Sequence, residues 1–245
     1  MYFSDIHIHA LPGVDDGAQN IDDMKKIISR SYQDGTRVIC FTPHYHPGYF
    51  GNNRDKILKS YDITAKYILE NYPDLQCFLG NELRYSPECI EWLQNGDCKT
   101  LNNSRYILVD FSELEEERVI TNALYNLLNS GWKPVLAHVE RYISLHKKIN
   151  LIRKYRDNGI LLQSDTQSIF RGFGFRVEHQ CKKLLSEHLI DVFSSDAHNC
   201  NSRPPEMKSC FTIVSKKYGK DYAIGLFYKN AINILNDKSL EIREV

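Results

Sequence analysis

The sequence predicts an α/β fold, a right-handed barrel or wound sheet of parallel strands, and three observations carry that prediction. Seven short runs rich in β-branched and aromatic residues recur about every 25 to 45 positions. Longer amphipathic segments separate them, and strands alternating with helices pair in parallel. Titratable residues also gather at the C-terminal ends of the runs, the face on which parallel barrels carry their chemistry.

The elements follow in order along the chain. A first strand is expected near 2–9, and then "NIDDMKKIISRSYQDG" reads as a helix. Asn20 or Asp22 can cap it, Met24, Ile27 and Ile28 form its buried stripe, and Gly35 stops it. Further strands are expected near 37–43, 75–82, 105–111, 133–139, 159–164 and 189–196. Helical segments are expected near 53–71, 86–95, 116–130, 144–157, 175–187, 205–218 and 221–236. With no low-complexity stretch and no linker, a single domain over 1–245 is expected.

Composition narrows the function classes. Lys plus Arg equals Asp plus Glu at 31 each, so no net field recruits nucleic acid or a membrane surface. The seven cysteines are scattered and never form a C-x-x-C pair, which suits reduced thiols rather than a disulfide framework or a thiolate zinc site. No apolar run approaches a membrane span, and the N-terminus lacks a signal-peptide pattern. A cytoplasmic location without membrane insertion is expected.

The polar residues have a pattern of their own. His7 and His9 end the first strand, with Asp15 and Asp16 in the loop that follows. His44 follows the second strand, Glu82 ends the third, Asp110 lies near the end of the fourth and His138 closes the fifth. Asp196 closes the last, with His198 two residues on. Alternate residues of a strand share a face, so His7 with His9, and Asp196 with His198, can serve one target. Imidazole and carboxylate without thiolate suit zinc, manganese or iron, and the nine candidate ligands, Asp15 not counted among them, are too many for one four-coordinate ion. Taken singly, each has an ordinary structural role: "DDG" at 15–17 makes a turn in which Gly takes positive φ, and Asp196 can be a helix cap. Their joint placement favours metal. His46 can be a supporting ligand, a substrate contact or a loop residue; His146, His179 and His188 are expected on solvated helix faces.

H-x-H in the first strand, D-D-G after it, T-P-H at 42–44, G-N-E at 80–82, H-V-E-R-Y at 138–142 and S-D-A-H-N at 195–199 together resemble the polymerase and histidinol phosphatase (PHP) superfamily. "HVERY" and the "RPP" at 203–205 narrow the likeness to its bacterial capsule and exopolysaccharide protein-tyrosine phosphatases. The resemblance implies a distorted seven-stranded TIM-like barrel and three divalent ions, with manganese favoured and iron or zinc possible. By motif, His7, His9, Glu82 and Asp196 would hold one ion. Glu82 would bridge to a second, completed by His138 and Asp110, while Asp16, His44 and His198 would hold the third. That family normally has glutamate at position 110. Asp is shorter by one C–C bond, about 1.5 Å, and Glu113 is the alternative ligand.

The implied reaction is phosphomonoester hydrolysis by a metal-bridging hydroxide. Arg141 and Arg203 are the candidates to bind the phosphoryl oxygens, since guanidinium offers bidentate donors. Asp196 or a metal-bound water would protonate the leaving phenolate. No cysteine has Arg six positions later, so the C-x5-R pattern of thiol phosphatases is absent. The expected substrate is a phosphotyrosine protein, a bacterial tyrosine kinase controlling polysaccharide export. The alternatives are a small-molecule phosphatase of the histidinol-phosphate type and a non-catalytic metal-binding scaffold.

Overall fold

A computed structural model of the protein describes residues 1–50 and 53–240. The single-domain expectation therefore includes residues 51–52 and 241–245, which lie outside the described residues. Its strands are β1 (Phe3–Asp5), β2 (Thr36–Phe41), β3 (His44–Tyr45), β4 (Gln76–Leu79), β5 (Glu82–Arg84), β6 (Tyr106–Asp110), β7 (Lys133–Leu136), β8 (Leu161–Asp165) and β9 (Val192–Ser194). Each of the seven expected runs contains strand, and every pairing between strands is parallel.

The strands form two sheets, β1-β2-β4 and β3-β5-β6-β7-β8-β9. Thr42 and Pro43 separate β2 from β3, and Gly80 and Asn81 separate β4 from β5. The β2–β4 pairing resumes as β3–β5, so both interruptions fall at one level of the fold. Proline withholds a ladder donor there, while a Cβ on Gly80 would come within 2.9 Å of Leu101 Cδ2 and 3.2 Å of its Cα. At the far end the sheet curls back. Ile8 bridges Ala197 in parallel, Asp196 N–H donates to His7 O at 2.8 Å, and His9 N–H donates to Ala197 O at 2.9 Å.

The first helix runs Ile21–Asp34, and Asn20 caps it by accepting from Asp23 N–H at 3.0 Å. Gly35 ends it at φ 110°, in the left-handed region that glycine enters without steric cost. Met24, Ile27 and Ile28 are buried as their 3.6-residue spacing requires. The other longer helices include Arg54–Asn71, Glu117–Asn129, Ile149–Asp157, Phe175–Ser186 and Lys208–Tyr218. The segment expected as one helix over 221–236 is Lys220–Ile224, a π-helical stretch Gly225–Lys229, and Asn230–Leu235. Phe227 on the π-helical stretch stacks on Phe193 of β9 at 5.0 Å, tying that segment to the last strand. The region near 144–157 begins as helix only at Ile149, because short 3-10 turns at Val139–Arg141 and Ile143–Leu145 precede it.

Candidate metal and phosphate site

The site grows from segments that leave the C-terminal ends of the strands, and Glu82, the first residue of β5, is its hub. Its Oε1 lies 3.1 Å from His138 Nε2 and 3.3 Å from His7 Nε2. Its Oε2 lies 2.9 Å from His44 Nδ1 and 3.3 Å from His9 Nε2. Burial opposes ionisation of Glu82, yet the charge of His7 and the other histidines holds its carboxyl well below the usual range.

Three of the histidines are oriented as metal ligands are. His9 Nδ1 faces Asp15 Oδ2 at 2.8 Å, His7 Nδ1 faces Gln163 Oε1 at 3.1 Å, and His198 Nδ1 faces the Asp196 carbonyl at 3.0 Å. Each partner atom only accepts, so each Nδ1 carries a proton, and Nε2 is the nitrogen free to give up its own proton and present a lone pair to a cation. Among the described residues none of these three Nε2 atoms makes a hydrogen bond. They point instead at carboxylates: His7 at Glu82 and Asp196 (both 3.3 Å), His9 at Asp196 (3.4 Å), and His198 at Asp16 (3.4 Å). Buried imidazole lone pairs facing carboxylate oxygens are a poor arrangement by themselves and a good one around a cation. The donor set fits divalent metal.

Three groups have donor atoms that all lie within 4.8 Å of one another: His9, Asp16, His44 and His198; His7, His9 and Glu82; and His44, Glu82 and Asp110. Asp196 Oδ1 is near both His7 and His9, so it adjoins the second group. His138 Nε2 stands 4.0 Å from Asp110 Oδ2, outside the third. The geometry thus brings all nine predicted ligands to one place, with His9, His44 and Glu82 each shared between two groups. Asp110 is buried beside Glu82, whereas Glu113 is an exposed residue on the rim of the same cavity. Burial, then repulsion from Glu82, pushes the Asp110 carboxyl up to about 7 in the metal-free protein, and Arg84 opposes the shift from 3.1 Å.

Backbone geometry aims two of these side chains. His138 has φ 33° and Asp196 has φ 50°, both in the left-handed region, each two residues beyond a strand. Alternation along a strand therefore does not explain why Asp196 and His198 face one target; a turn after β9 does. Asp5, buried beneath that turn, accepts from Ser195 N–H at 3.1 Å and Ser195 O–H at 2.5 Å.

A cavity of about 540 Å³ opens over the cluster, and Arg84, Phe111, Ser112, Arg141 and Arg203 also line it. Arg141 Nη2 sits 3.1 Å from Asp196 Oδ2 and 3.0 Å from Asp165 Oδ2, and its guanidinium stacks on Phe173 at 3.7 Å. Arg203 reaches the same Asp196 oxygen. Asp196 therefore turns one oxygen to the histidines and the other to two guanidinium groups.

The comparisons with known proteins bear directly on this arrangement. A family model described as capsular polysaccharide synthesis, CpsB/CapC, matches residues 3–236. The chain belongs to the CpsB/CapC family. It is 34% identical to the tyrosine-protein phosphatase CpsB of Streptococcus pneumoniae, covering 96% of this chain and 98% of that one. It is 32% identical to CpsB of Streptococcus agalactiae serotype III, covering 95% and 98%. A crystal structure described as that of YwqE from Bacillus subtilis and CpsB from Streptococcus pneumoniae, "unique metal-dependent tyrosine phosphatases", superposes with a TM-score of 0.89 at 26% identity. That match covers 97% of this chain and 96% of the other. The resemblance carried by the ordered H-x-H to S-D-A-H-N motifs is thus borne out at the level of the family.

Within this CpsB/CapC chain, sequence reasoning missed several residues and misassigned others. Gly17 of the D-D-G motif does not take positive φ; it is glycine because a Cβ there would lie 2.0 Å from the His9 carbonyl oxygen and 2.5 Å from His9 Cβ. Arg84, Gln163, Asp165 and Phe173 went unassigned; the only hint was a polar "QSD" at 163–165 directly after the apolar "ILL" at 160–162. His146 is half-buried, contacting the Glu140 carbonyl at 3.0 Å, and His188 packs on Tyr222 at 4.5 Å, so neither is a solvated helix residue. His179 is exposed as expected. His46 stacks on Tyr49 at 5.5 Å and is absent from the metal-type groups among the described residues. The seven cysteines are all free thiols.

Gly17→Ala provides a test of the close approach. Both clashing partners belong to His9 itself, and one is backbone, so no rotamer change relieves them. The variant is expected to lose about 1–3 kcal/mol of stability, as overpacking does, and to bind manganese more weakly. Thermal melting and metal titration check this; wild-type affinity in the variant would show that the loop yields without moving His9.

Proposed function

We propose that this chain is a metal-dependent protein-tyrosine phosphatase acting on a phosphotyrosine protein, a bacterial tyrosine kinase that regulates capsule or exopolysaccharide synthesis. One observation carries the reading: a buried carboxylate–histidine hub fit for divalent metal abuts two guanidinium groups inside one open cavity. The relatives bearing the name tyrosine-protein phosphatase match nearly end to end. A cytoplasmic location belongs to the same proposal, and among the described residues no helix is long and apolar enough to cross a membrane.

The architecture proposed is a single domain over 1–245 built on a distorted seven-stranded barrel. If β2 with β3 and β4 with β5 are each one interrupted strand, seven strand positions remain, and the Ile8–Ala197 bridge supports closure. Three ions, with manganese favoured, are proposed on His7, His9, Glu82 and Asp196; on Glu82, His138 and Asp110; and on Asp16, His44 and His198. His9 and His44 lie close enough to serve neighbouring groups.

Bound divalent ions would supply an activated water and neutralise charge on the phosphoryl group. The chain's own residues do the rest. Arg141 and Arg203, fixed through Asp196, bind the phosphoryl oxygens and hold the ester in line. Their charge is preorganised, because Phe173 and Asp165 immobilise Arg141 before substrate arrives. Arg84 keeps the short Asp110 side chain turned into the cavity. Despite burial, Asp196 is held ionised by His7, Arg203 and Arg141, so its part is to fix the two guanidinium groups, and the proton for the leaving phenolate comes from water.

The purified chain with added manganese is expected to hydrolyse a tyrosine phosphopeptide with kcat/KM well above that for histidinol phosphate. A reversed preference would assign it to small-molecule phosphomonoesters. Stoichiometric metal with no turnover on either would make it a scaffold.

A further inference from the structure

Strand β8 contributes none of the nine metal-type ligands, yet it places Gln163 and Asp165 fully buried directly beneath them. Gln163 Oε1 receives two hydrogen bonds: from His7 Nδ1 at 3.1 Å and from the backbone N–H of His138 at 2.8 Å. Both of its lone pairs are thereby used. The amide orientation is fixed from the other end, where Gln163 Nε2 donates to Asp165 Oδ1 at 2.9 Å. Asp165 Oδ2 then faces Arg141 Nη2 at 3.0 Å, and the same Nη2 faces Asp196 Oδ2 at 3.1 Å. Asp165 is itself held by its backbone N–H, which donates to Glu140 Oε1 at 2.9 Å.

We propose that Gln163 and Asp165 are positioning residues that couple the metal-type histidines to the phosphate-type arginine through one buried chain, His7–Gln163–Asp165–Arg141, made of hydrogen bonds as far as Asp165 and closed by its ion pair with Arg141. Gln163 performs two tasks with a single oxygen. It keeps a proton of His7 on Nδ1, so that Nε2 is the nitrogen available to a cation shared with Glu82 and Asp196. It also pins the left-handed backbone of His138, which sends that imidazole toward Glu82. Asp165 supplies the carboxyl group that ion-pairs Arg141 from beneath the site. Glutamine is suited to the middle of the chain because it accepts on one side and donates on the other. A carboxylate there would confront Asp165, and an apolar side chain would leave His7 Nδ1 unpartnered.

The inference rests on the metallophosphatase reading, and its test separates the two. Gln163→Leu, Gln163→Glu and Asp165→Asn are compared with the unmodified chain by manganese titration, by inorganic phosphate binding and by circular dichroism. Gln163→Leu is expected to weaken metal binding about 10–100-fold, the usual effect of losing a partner that orients a ligand. Gln163→Glu restores the acceptor for His7 and is expected to recover most of the metal affinity while weakening phosphate binding. Asp165→Asn turns a donor toward Arg141 and is expected to weaken phosphate roughly tenfold with metal stoichiometry unchanged. A purely structural role would lower melting temperature in all three without this split. Should Gln163→Leu not fold, Gln163→Glu and Asp165→Asn still decide the matter, because each is expected to weaken phosphate binding while largely sparing metal, and a variant that keeps full phosphate affinity overturns the inference. Unchanged metal affinity in a folded Gln163→Leu, or joint loss of metal and phosphate in Asp165→Asn, overturns the inference while leaving the phosphatase reading intact. Failure of the unmodified chain to bind manganese overturns both.

Discussion

Glu82→Ala is expected to abolish turnover, with a fall of at least about a thousandfold, and to empty more than one metal position at once. The reason is topological. Its two oxygens stand within 3.3 Å of four histidines, His7, His9, His44 and His138, and among the described residues no other carboxylate touches so many. Each tenfold in rate corresponds to about 1.36 kcal/mol, and metal-ion charge stabilisation is worth several kcal/mol, so losing the hub suffices for a thousandfold. The variant also leaves buried imidazoles without their counter-charge, which shifts the charged His7 down from its raised value of about 9. That value reflects burial opposing the charge and Glu82 with Asp196 overcoming it. Turnover and metal content, measured beside circular dichroism, check the expectation. A folded Glu82→Ala protein retaining full metal occupancy would remove Glu82 from the centre of the site.

Chelation is expected to remove all measurable phosphatase activity, and added manganese to restore it, while thiol alkylation leaves it nearly unchanged. The cysteines explain the second half. Cys40, Cys89, Cys98, Cys181 and Cys210 are buried, and burial pushes each thiol up and away from the reactive thiolate. None of the seven lines the cavity over the histidines. Phosphopeptide turnover before chelation, after it and after metal return is the measurement. Activity that persists through exhaustive chelation and disappears on alkylation would replace the metal mechanism with a thiol one.

The legible part of this protein is the part written in periodicity and position. The 3.6-residue stripe of Met24, Ile27 and Ile28, framed by Asn20 and Gly35, reads as a helix and is one. The seven β-rich runs read as parallel strands, and the polar residues at their C-terminal ends come together as a barrel-like topology requires. Asp110 shows the limit. Its residue type at that position raises a question about reach, and nothing in any motif announces its ion-pair partner, Arg84, on a neighbouring strand.

The sequence by itself determined the order of strands and helices, the chemistry of the donor set and the family to which the chain belongs, because each is carried by local spacing and residue type. The tertiary structure alone decided which nitrogen of His7 and His9 is presented, why Gly17 has no side chain, and where Arg141 is anchored. Those depend on atoms with no regular sequence spacing meeting within about 3 Å: His7 and Gln163 are 156 residues apart, whereas Arg203 and Asp196, 7 residues apart, meet because of the turn after β9. A hydrogen bond selects a tautomer and a steric clash selects a glycine at that range, and neither leaves a periodic trace in the sequence.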